Sequence, residues 1–237
     1  MSFLTSARRA FYNADGPWRR RGLFEALGSE RYSRPALHGI DAKLEALLGR
    51  EGGTFLEAGA HDGYTQSNTY FLERHRGWSG VLVEAIPELH AKAAARRPRS
   101  QVVHAALVGP EHTHDTVAMA FGDLMSQLGT DEGHAAGGLA NAGRAGYTVE
   151  VPARTLTQIL DAAKIGHLDL LALDIEGHEL NALRGLELDR IRVDHLVIEM
   201  LDLPRQRPAF DALLGSRYRF AGELSADDAH YVRSDGS

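Results

Sequence analysis

The chain has 237 residues, 43% of them hydrophobic and 24% charged, with a formal net charge of −6 and no cysteine. That length supports one sizeable core, and the lack of cysteine excludes disulfides, thiolate metal sites and a cysteine nucleophile. No apolar run reaches the ~18 residues of a helical membrane span, and the N-terminus "MSFLTSARRAFYNADG" lacks the continuous apolar segment of a signal peptide, so no membrane partner and a cytoplasmic location are expected.

Charge is unevenly spread: residues 1–50 carry +4 and the remainder −10. An acidic body argues against nucleic acid as a partner, and the basic run Arg19, Arg20, Arg21 reads as a solvated face. Residues 1–35 read as an N-terminal arm, and its aromatics Phe3, Phe11, Tyr12 and Trp18 make it a candidate homodimer surface or a cover for the chain's own sheet. Over 36–49, Leu37, Ile40, Leu44, Leu47 and Leu48 recur at helical spacing, and Gly49 is a C-terminal stop. This predicts a helix over the sheet edge, with His38 near a ligand entrance but more simply structural.

The stretch Thr54 to Asn68, "TFLEAGAHDGYTQSN", reads as a buried strand over 54–58, a glycine turn at Gly59 and Gly63, and a helix over 66–75. Thr65, Ser67 and Asn68 stand where a helix start needs acceptors for its orphan N–H groups. A second strand over 80–84 ends in Glu84, placed to accept hydrogen bonds from ribose hydroxyls, as an acid at a strand tip does in open α/β sheets. The dinucleotide fingerprint is G-x-G-x-x-G, whereas this turn runs Glu57-x-Gly59-x-x-x-Gly63. An acid there would repel a diphosphate and suits the cationic end of S-adenosylmethionine. A nicotinamide cofactor is the alternative, and a βα turn holding no ligand is the plain structural reading.

Further on, Pro87 opens a helix over 87–97, and "QVVHAALV" predicts a strand over 101–108. Ala105 and Ala106 are small enough to admit an adenine ring, and Ala85 follows the ribose acid. Strand–helix alternation predicts a parallel, doubly wound sheet with ligands at its carboxyl edge. The segment 109–150 breaks the rhythm. "TVAMAF" and "YTVEVPAR" suggest two short strands, and the six-glycine stretch over 129–146 between them reads as a mobile lid or a plain surface loop. His112, His114 and Asp115 read as loop residues.

A helix is expected over 155–163 and an apolar strand over 168–174, ending in Asp174. A turn at Gly177 leads to a helix from Glu179 with Leu180, Leu183 and Leu186 inward. The strand "VDHLVIEM" ends in Glu199, Pro204 and Pro208 bracket the start of a helix over 207–215, and a closing hairpin brings one antiparallel strand. Glu57, Glu84, Asp174 and Glu199 therefore meet at one sheet edge, where acids need cationic or hydroxyl partners. Asp174, Glu199 and His178 are the candidates for chemistry: a carboxylate or His178 as general base, or Asp174 and Glu199 as an Mg²⁺ pair lowering a hydroxyl's pKa.

Two segments, "FLEAGAHDGYTQSNTYFLERHRGWSGVLVEAIPELH" and "LDLLALDIEGHELNALRGL…VDHLVIEML", resemble the FkbM-type S-adenosylmethionine-dependent methyltransferases over about residues 50–233. The resemblance implies a Rossmann-like class I methyltransferase fold, with a seven-stranded, mostly parallel sheet and the last strand antiparallel. It divides the chain into a helical arm (1–49) and a methyltransferase domain (50–237). It implies methyl transfer to a hydroxyl of a small metabolite, such as a sugar or glycosylated product of specialised metabolism. Glu57, Gly59, Gly63 and Asn68 then form the cofactor loop, Glu84 the ribose acid, and Asp174 and Glu176 the acids of "DIEGHE". A nicotinamide oxidoreductase and a non-catalytic binding protein are the competing expectations.

Overall fold

The computed structural model describes residues 15–120, 127–128 and 148–234. Its main sheet is built from β1 (Thr54–Ala58), β2 (Ser79–Glu84), β3 (Gln101–His104), β8 (His167–Leu173), β9 (Arg192–Glu199), β10 (Tyr218–Glu223) and β11 (Asp228–Arg233), in the order β10-β11-β9-β8-β1-β2-β3. Every neighbouring pair is parallel except the two that β11 makes, with β9 and with β10. The chain winds outward from β1 through β2 and β3, then restarts on the other side of β1 with β8. The switch point that opens a ligand crevice in such sheets therefore lies between β1 and β8.

Successive residues of the inner strands are buried on opposite faces, so both faces need cover. Leu56, Val81, Leu171 and Leu196 belong to one apolar cluster, closed by Leu160 of α5 (Leu156–Ala162), Leu183 of α6 (Glu179–Arg184) and Phe210 of α7 (Leu203–Leu214). Phe55, Leu82, Leu170 and Val197 face the other way, against Ile40 and Leu44 of α2 (Ile40–Leu48) and Leu72 of α3 (Tyr70–His75). The helix expected at the sheet edge thus covers a face, sharing one apolar cluster with residues from four strands. Leu37 and Leu47, read as part of its apolar stripe, are each 48% exposed.

Other boundaries move for identifiable reasons. The helix expected from residue 66 begins at Tyr70, because Ser67, Asn68 and Thr69 bond the Glu57 carboxylate instead of an opening helical turn. The strand expected over 101–108 breaks at Ala105. Ala106 and Leu107 form β4, which leaves the main sheet to pair with β7 (Thr148–Arg154). β7 also pairs antiparallel with β5 (Thr116–Ala120), as the two-strand reading of that segment expected, and β6 (Gln127–Leu128) completes a second sheet of order β4-β7-β5-β6. The six-glycine stretch over 129–146, read as a lid or surface loop, lies outside the described residues. α7 starts at Leu203 rather than at residue 207 and runs through Pro208; buried Leu203, Phe210 and Leu214 hold that face down despite the missing N–H.

α1 (Gly16–Ala26) lies within the N-terminal arm, and α4 (Pro87–Arg96) connects β2 to β3. Arg21, expected to be solvated, is only 9% exposed; it stacks on Trp18 and bonds the Tyr70 hydroxyl. Trp18 packs edge-on against Tyr64 and Tyr70 of its own chain. Phe3, Phe11 and Tyr12, the other arm aromatics, lie outside the described residues.

Next to α4, Arg97 is 1% exposed and donates to Glu73 at 2.8 Å, the Gly63 carbonyl at 3.1 Å, Ser67 Oγ at 3.1 Å and Thr69 Oγ1 at 2.9 Å. It also lies 3.7 Å from Glu57. Glu57 and Glu73 are each 4% exposed. Arg97→Ala leaves two buried carboxylates without their cation and is expected to cost about 3–5 kcal/mol, read from urea denaturation. Arg97→Lys keeps the charge but not the planar fork and should recover only part of it; full recovery would show that charge alone matters.

Candidate active site

At the carboxyl edge of the main sheet a cleft of about 970 Å³ opens over the switch point. Its floor is Ala58, Gly59 and Asp174, from the ends of β1 and β8; Glu84, Ala85 and Ile86 follow β2; Ala105, Ala106 and Leu107 line a third side. Met119 of β5 contributes from the second sheet. A concave lining that mixes apolar side chains with a few polar groups is the usual form of a small-molecule site.

The loop between β1 and α3 carries most of the polar wall. Gly59 (φ +80) is required there, because a Cβ would lie 1.8 Å from the Asp174 carbonyl oxygen. Gly63 (φ +80) is not in the cleft: a Cβ on it would meet Ala93 Cα at 2.9 Å. Its place among the cofactor residues is therefore indirect, through packing of the loop on α4. Asp62 shapes the turn, accepting from the N–H groups of Tyr64 at 3.0 Å and Thr65 at 2.7 Å and from the Thr65 hydroxyl. Although its burial opposes ionisation, hydrogen bonding from His61 and Thr65 and the Arg96 charge hold its carboxyl well below the usual range.

Glu57 reaches the cleft, but its oxygens accept from the Asn68 N–H at 2.6 Å, Ser67 Oγ at 2.9 Å and Thr69 Oγ1 at 2.5 Å. The carboxylate read as the partner of a cationic group is thus chiefly the staple of its own loop. Glu84 accepts from the N–H groups of His61 at 2.7 Å and Ile86 at 2.8 Å, so two loops fix its position, while burial raises its pKa. Thr65, Gln66, Asn68 and His61 complete this wall.

The opposite wall follows β8. Asp174 and Glu199 are hydrogen-bonded to each other, and burial first, then mutual repulsion, raises Glu199 far above an ordinary carboxyl; Asp174 rises less. The pair therefore titrates as a unit that favours keeping one proton at neutral pH. Glu199 is behind Asp174 rather than in the cleft lining. Glu176 is half-buried in the lining and is pushed up to about 7 by burial and by Asp174 and Glu179. His178, also in the lining, is lowered by burial and so is neutral. Glu179 caps the turn, accepting from Ile175 at 2.9 Å and Gly177 at 3.0 Å.

His61 (φ 49), Gln66 (φ 62) and Glu176 (φ 56) hold left-handed backbone without being glycine, and all three line the cleft. Such strain concentrates where a fold positions functional groups. Asp174 and Glu199 would supply two of the several oxygen ligands that Mg²⁺ takes. Among the described residues, the His/Asp/Glu grouping close enough to share an ion is His167, Asp169 and Asp194, which starts at the opposite, amino end of β8. Its two aspartates are paired with Arg50 and Arg192.

The methyltransferase FkbM domain model matches residues 57–220, from the loop acid through β10. The chain belongs to that family. This FkbM-domain protein is an S-adenosylmethionine-dependent methyltransferase, and its cleft suits that cofactor: it offers an acid fixed by two loops, small alanines beside it and no phosphate-binding glycine cradle. Among solved structures, it is similar to a TehB-like methyltransferase from Corynebacterium glutamicum (12% identity, TM-score 0.48, 97% of this chain and 100% of that one). It is also similar to an O-methyltransferase from Bacillus cereus in complex with SAH (14%, 0.48, 93% and 92%). A third is the 1,6-didemethyltoxoflavin-N1-methyltransferase of Burkholderia thailandensis (13%, 0.45, 99% and 92%). At such identities and TM-scores these likenesses carry no argument about the acceptor. No curated protein matches the chain in sequence. Among the described residues no helix is long and apolar enough to cross a membrane.

Sequence reasoning missed Arg97, which sits in "AARRPRS" and reads there as surface charge, and Met119, whose approach depends on the second sheet. It passed over Asp62, although the Asp-Gly pair is itself a turn signal. Two expectations follow for this FkbM methyltransferase. Glu84→Ala is expected to weaken S-adenosylhomocysteine binding at least tenfold by calorimetry, losing ~1.4 kcal/mol or more; unchanged affinity would remove Glu84 from the cofactor site. A carboxyl with a folded pKa above its unfolded one stabilises fully at low pH and progressively less as pH rises through the folded value. Glu199→Gln, permanently neutral, should thus gain stability over the native chain as pH rises above about 5, shown by diverging urea midpoints.

Proposed function

We propose that this methyltransferase acts on a hydroxyl of a small metabolite, with a sugar or glycosylated natural product as the acceptor class. The observation that carries this is Glu176: a carboxyl titrating at about 7 in the cleft wall, beside Asp174. A hydroxyl is a poor nucleophile until its proton is removed, and a base matched to neutral pH is what that step needs. Bound S-adenosylmethionine supplies an electrophilic methyl group. The chain supplies Glu176 to take the hydroxyl proton. It also supplies Asp174 and neutral His178 to hold neighbouring hydroxyls, and an apolar side of Ala105, Ala106, Leu107 and Met119 to exclude water. Several acceptor oxygens lie close together here, which suits a polyhydroxylated ligand.

A side-chain base needs no metal, so under this reading activity should survive chelation by EDTA; loss of activity restored by Mg²⁺ alone would instead give Asp174 and Glu199 the role of holding the ion. The direct test is methyl transfer from labelled S-adenosylmethionine to a panel of sugars, glycosides and other hydroxyl compounds, beside amines and thiols. Label appearing on nitrogen or sulfur and never on oxygen would overturn the reading.

Glu176 acts in its ionised form, so kcat/KM should climb with pH between about 6 and 8 and then level. Glu176→Gln is expected to remove that limb and lower kcat by ~10²–10⁴-fold, with S-adenosylhomocysteine affinity retained. An intact limb in that variant would assign the proton transfer elsewhere.

A further inference from the structure

The cofactor loop has two sides. His61, Thr65, Gln66 and Asn68 line the cleft, whereas Asp62, Tyr64, Ser67 and Thr69 are buried behind it. Few backbone bonds brace it internally, among them Gly63 N–H to Ala60 O at 2.9 Å and Ser67 N–H to Tyr64 O at 3.1 Å. Its shape therefore depends on what its back touches. Part of that back is Arg97, already described. Another part is α4, through Ala93 and Arg96, and a third is α1 with the segment after it.

Trp18 lies 5.6 Å from the Tyr64 ring and 6.1 Å from the Tyr70 ring, both edge-on. Arg21 stacks 3.5 Å from the Trp18 ring centre and donates to the Tyr70 hydroxyl, which itself donates to Glu25 at 3.0 Å. The Tyr64 hydroxyl donates to the Tyr32 carbonyl at 2.6 Å. Arg96 bridges Asp62 of the loop, at 2.5 Å, to Asp15 at the start of α1, at 2.7 Å. Meanwhile α1 has little hold on the core. Arg21 is its one buried residue, and Leu23 and Leu27 are 61% and 75% exposed. The helix is thus attached mainly to the back of the cofactor loop and the helix that follows it, through cation–π, edge-on ring and ion-pair contacts.

We propose that α1 is a strap on the cofactor loop, and that Trp18 is a positioning residue for S-adenosylmethionine although it touches no ligand. The loop interleaves residues that line the cleft (His61, Thr65, Gln66) with residues held from behind (Asp62, Tyr64), and so ties the two equilibria together. Cofactor binding and strap docking then strengthen each other by the same factor. The inference rests on the cofactor lying in the cleft.

Hydrogen exchange on the native chain tests it without any substitution. Saturating S-adenosylhomocysteine is expected to slow exchange across residues 16–26, far from the ligand, as well as in the loop. In parallel, Trp18→Ala should weaken S-adenosylhomocysteine binding about tenfold, within the usual range of coupling between sites, and Trp18→Phe should restore most of it. The acceptor KM should stay as in the native chain. Asp15→Asn, which cuts one exposed ion pair, gives a milder weakening in the same direction if Trp18→Ala does not fold. Exchange in 16–26 indifferent to ligand, or native affinity in a Trp18→Ala protein of lowered Tm, would overturn the proposal and leave α1 a structural cover. Failure of the native chain to bind S-adenosylhomocysteine would overturn the cofactor site itself, and the strap with it.

Discussion

The guanidinium of Arg97, 1% exposed, joins three things that would otherwise repel or wander: the Glu57 staple at the end of β1, Glu73 of α3, and the loop between them. Buried carboxylates are tolerated only with a cation and a full set of hydrogen bonds. Here Glu57 gains both, from Arg97 and from the Ser67–Thr69 segment. The loop that walls the cleft is thus held at its Arg97 side by the chain's own contacts, with His61 and Gln66 in left-handed backbone. Preorganisation of this kind spares a ligand the entropy of ordering its own site.

Around that fixed loop the acids divide by environment. Glu57 is stapled inside the loop. Glu84 is fixed by two backbone N–H groups. Asp174 and Glu199 share a proton, and Glu176, less buried, titrates near neutrality. Carboxyls of the same chemistry thus take different roles because burial and neighbours push their pKa values apart. Under the proposed function, the two walls of the cleft separate accordingly: the loop wall holds the cofactor and the β8 wall handles a proton.

The motifs "EAGAHDG" and "DIEGHE" identify the family, and the alternation of strands and helices predicts the sheet that places them at one edge. Candidate residues on strand tips were therefore readable: Glu84, Ala85, Ala106 and Asp174 all line the cleft. Side chains whose role depends on distant partners were not. Arg97 looks like one of several surface arginines until α4 packs on the loop. Arg21 looks solvated until Trp18 and Tyr70 enclose it.

The sequence by itself determined the class of fold, the gathering of strand-tip acids at one carboxyl edge and the glycine turn at position 59, because apolar periodicity and turn chemistry are local properties of the chain. Only the tertiary structure decided that Glu57 serves its own loop, that Gly63 packs on α4 rather than on a ligand, that the 101–108 strand divides between two sheets, and that α1 grips the back of the cofactor loop. Each of these turns on contacts between residues far apart in the chain, and on burial that sets both hydrogen-bond partners and proton affinity. Neither spacing nor residue type encodes them until the chain has folded.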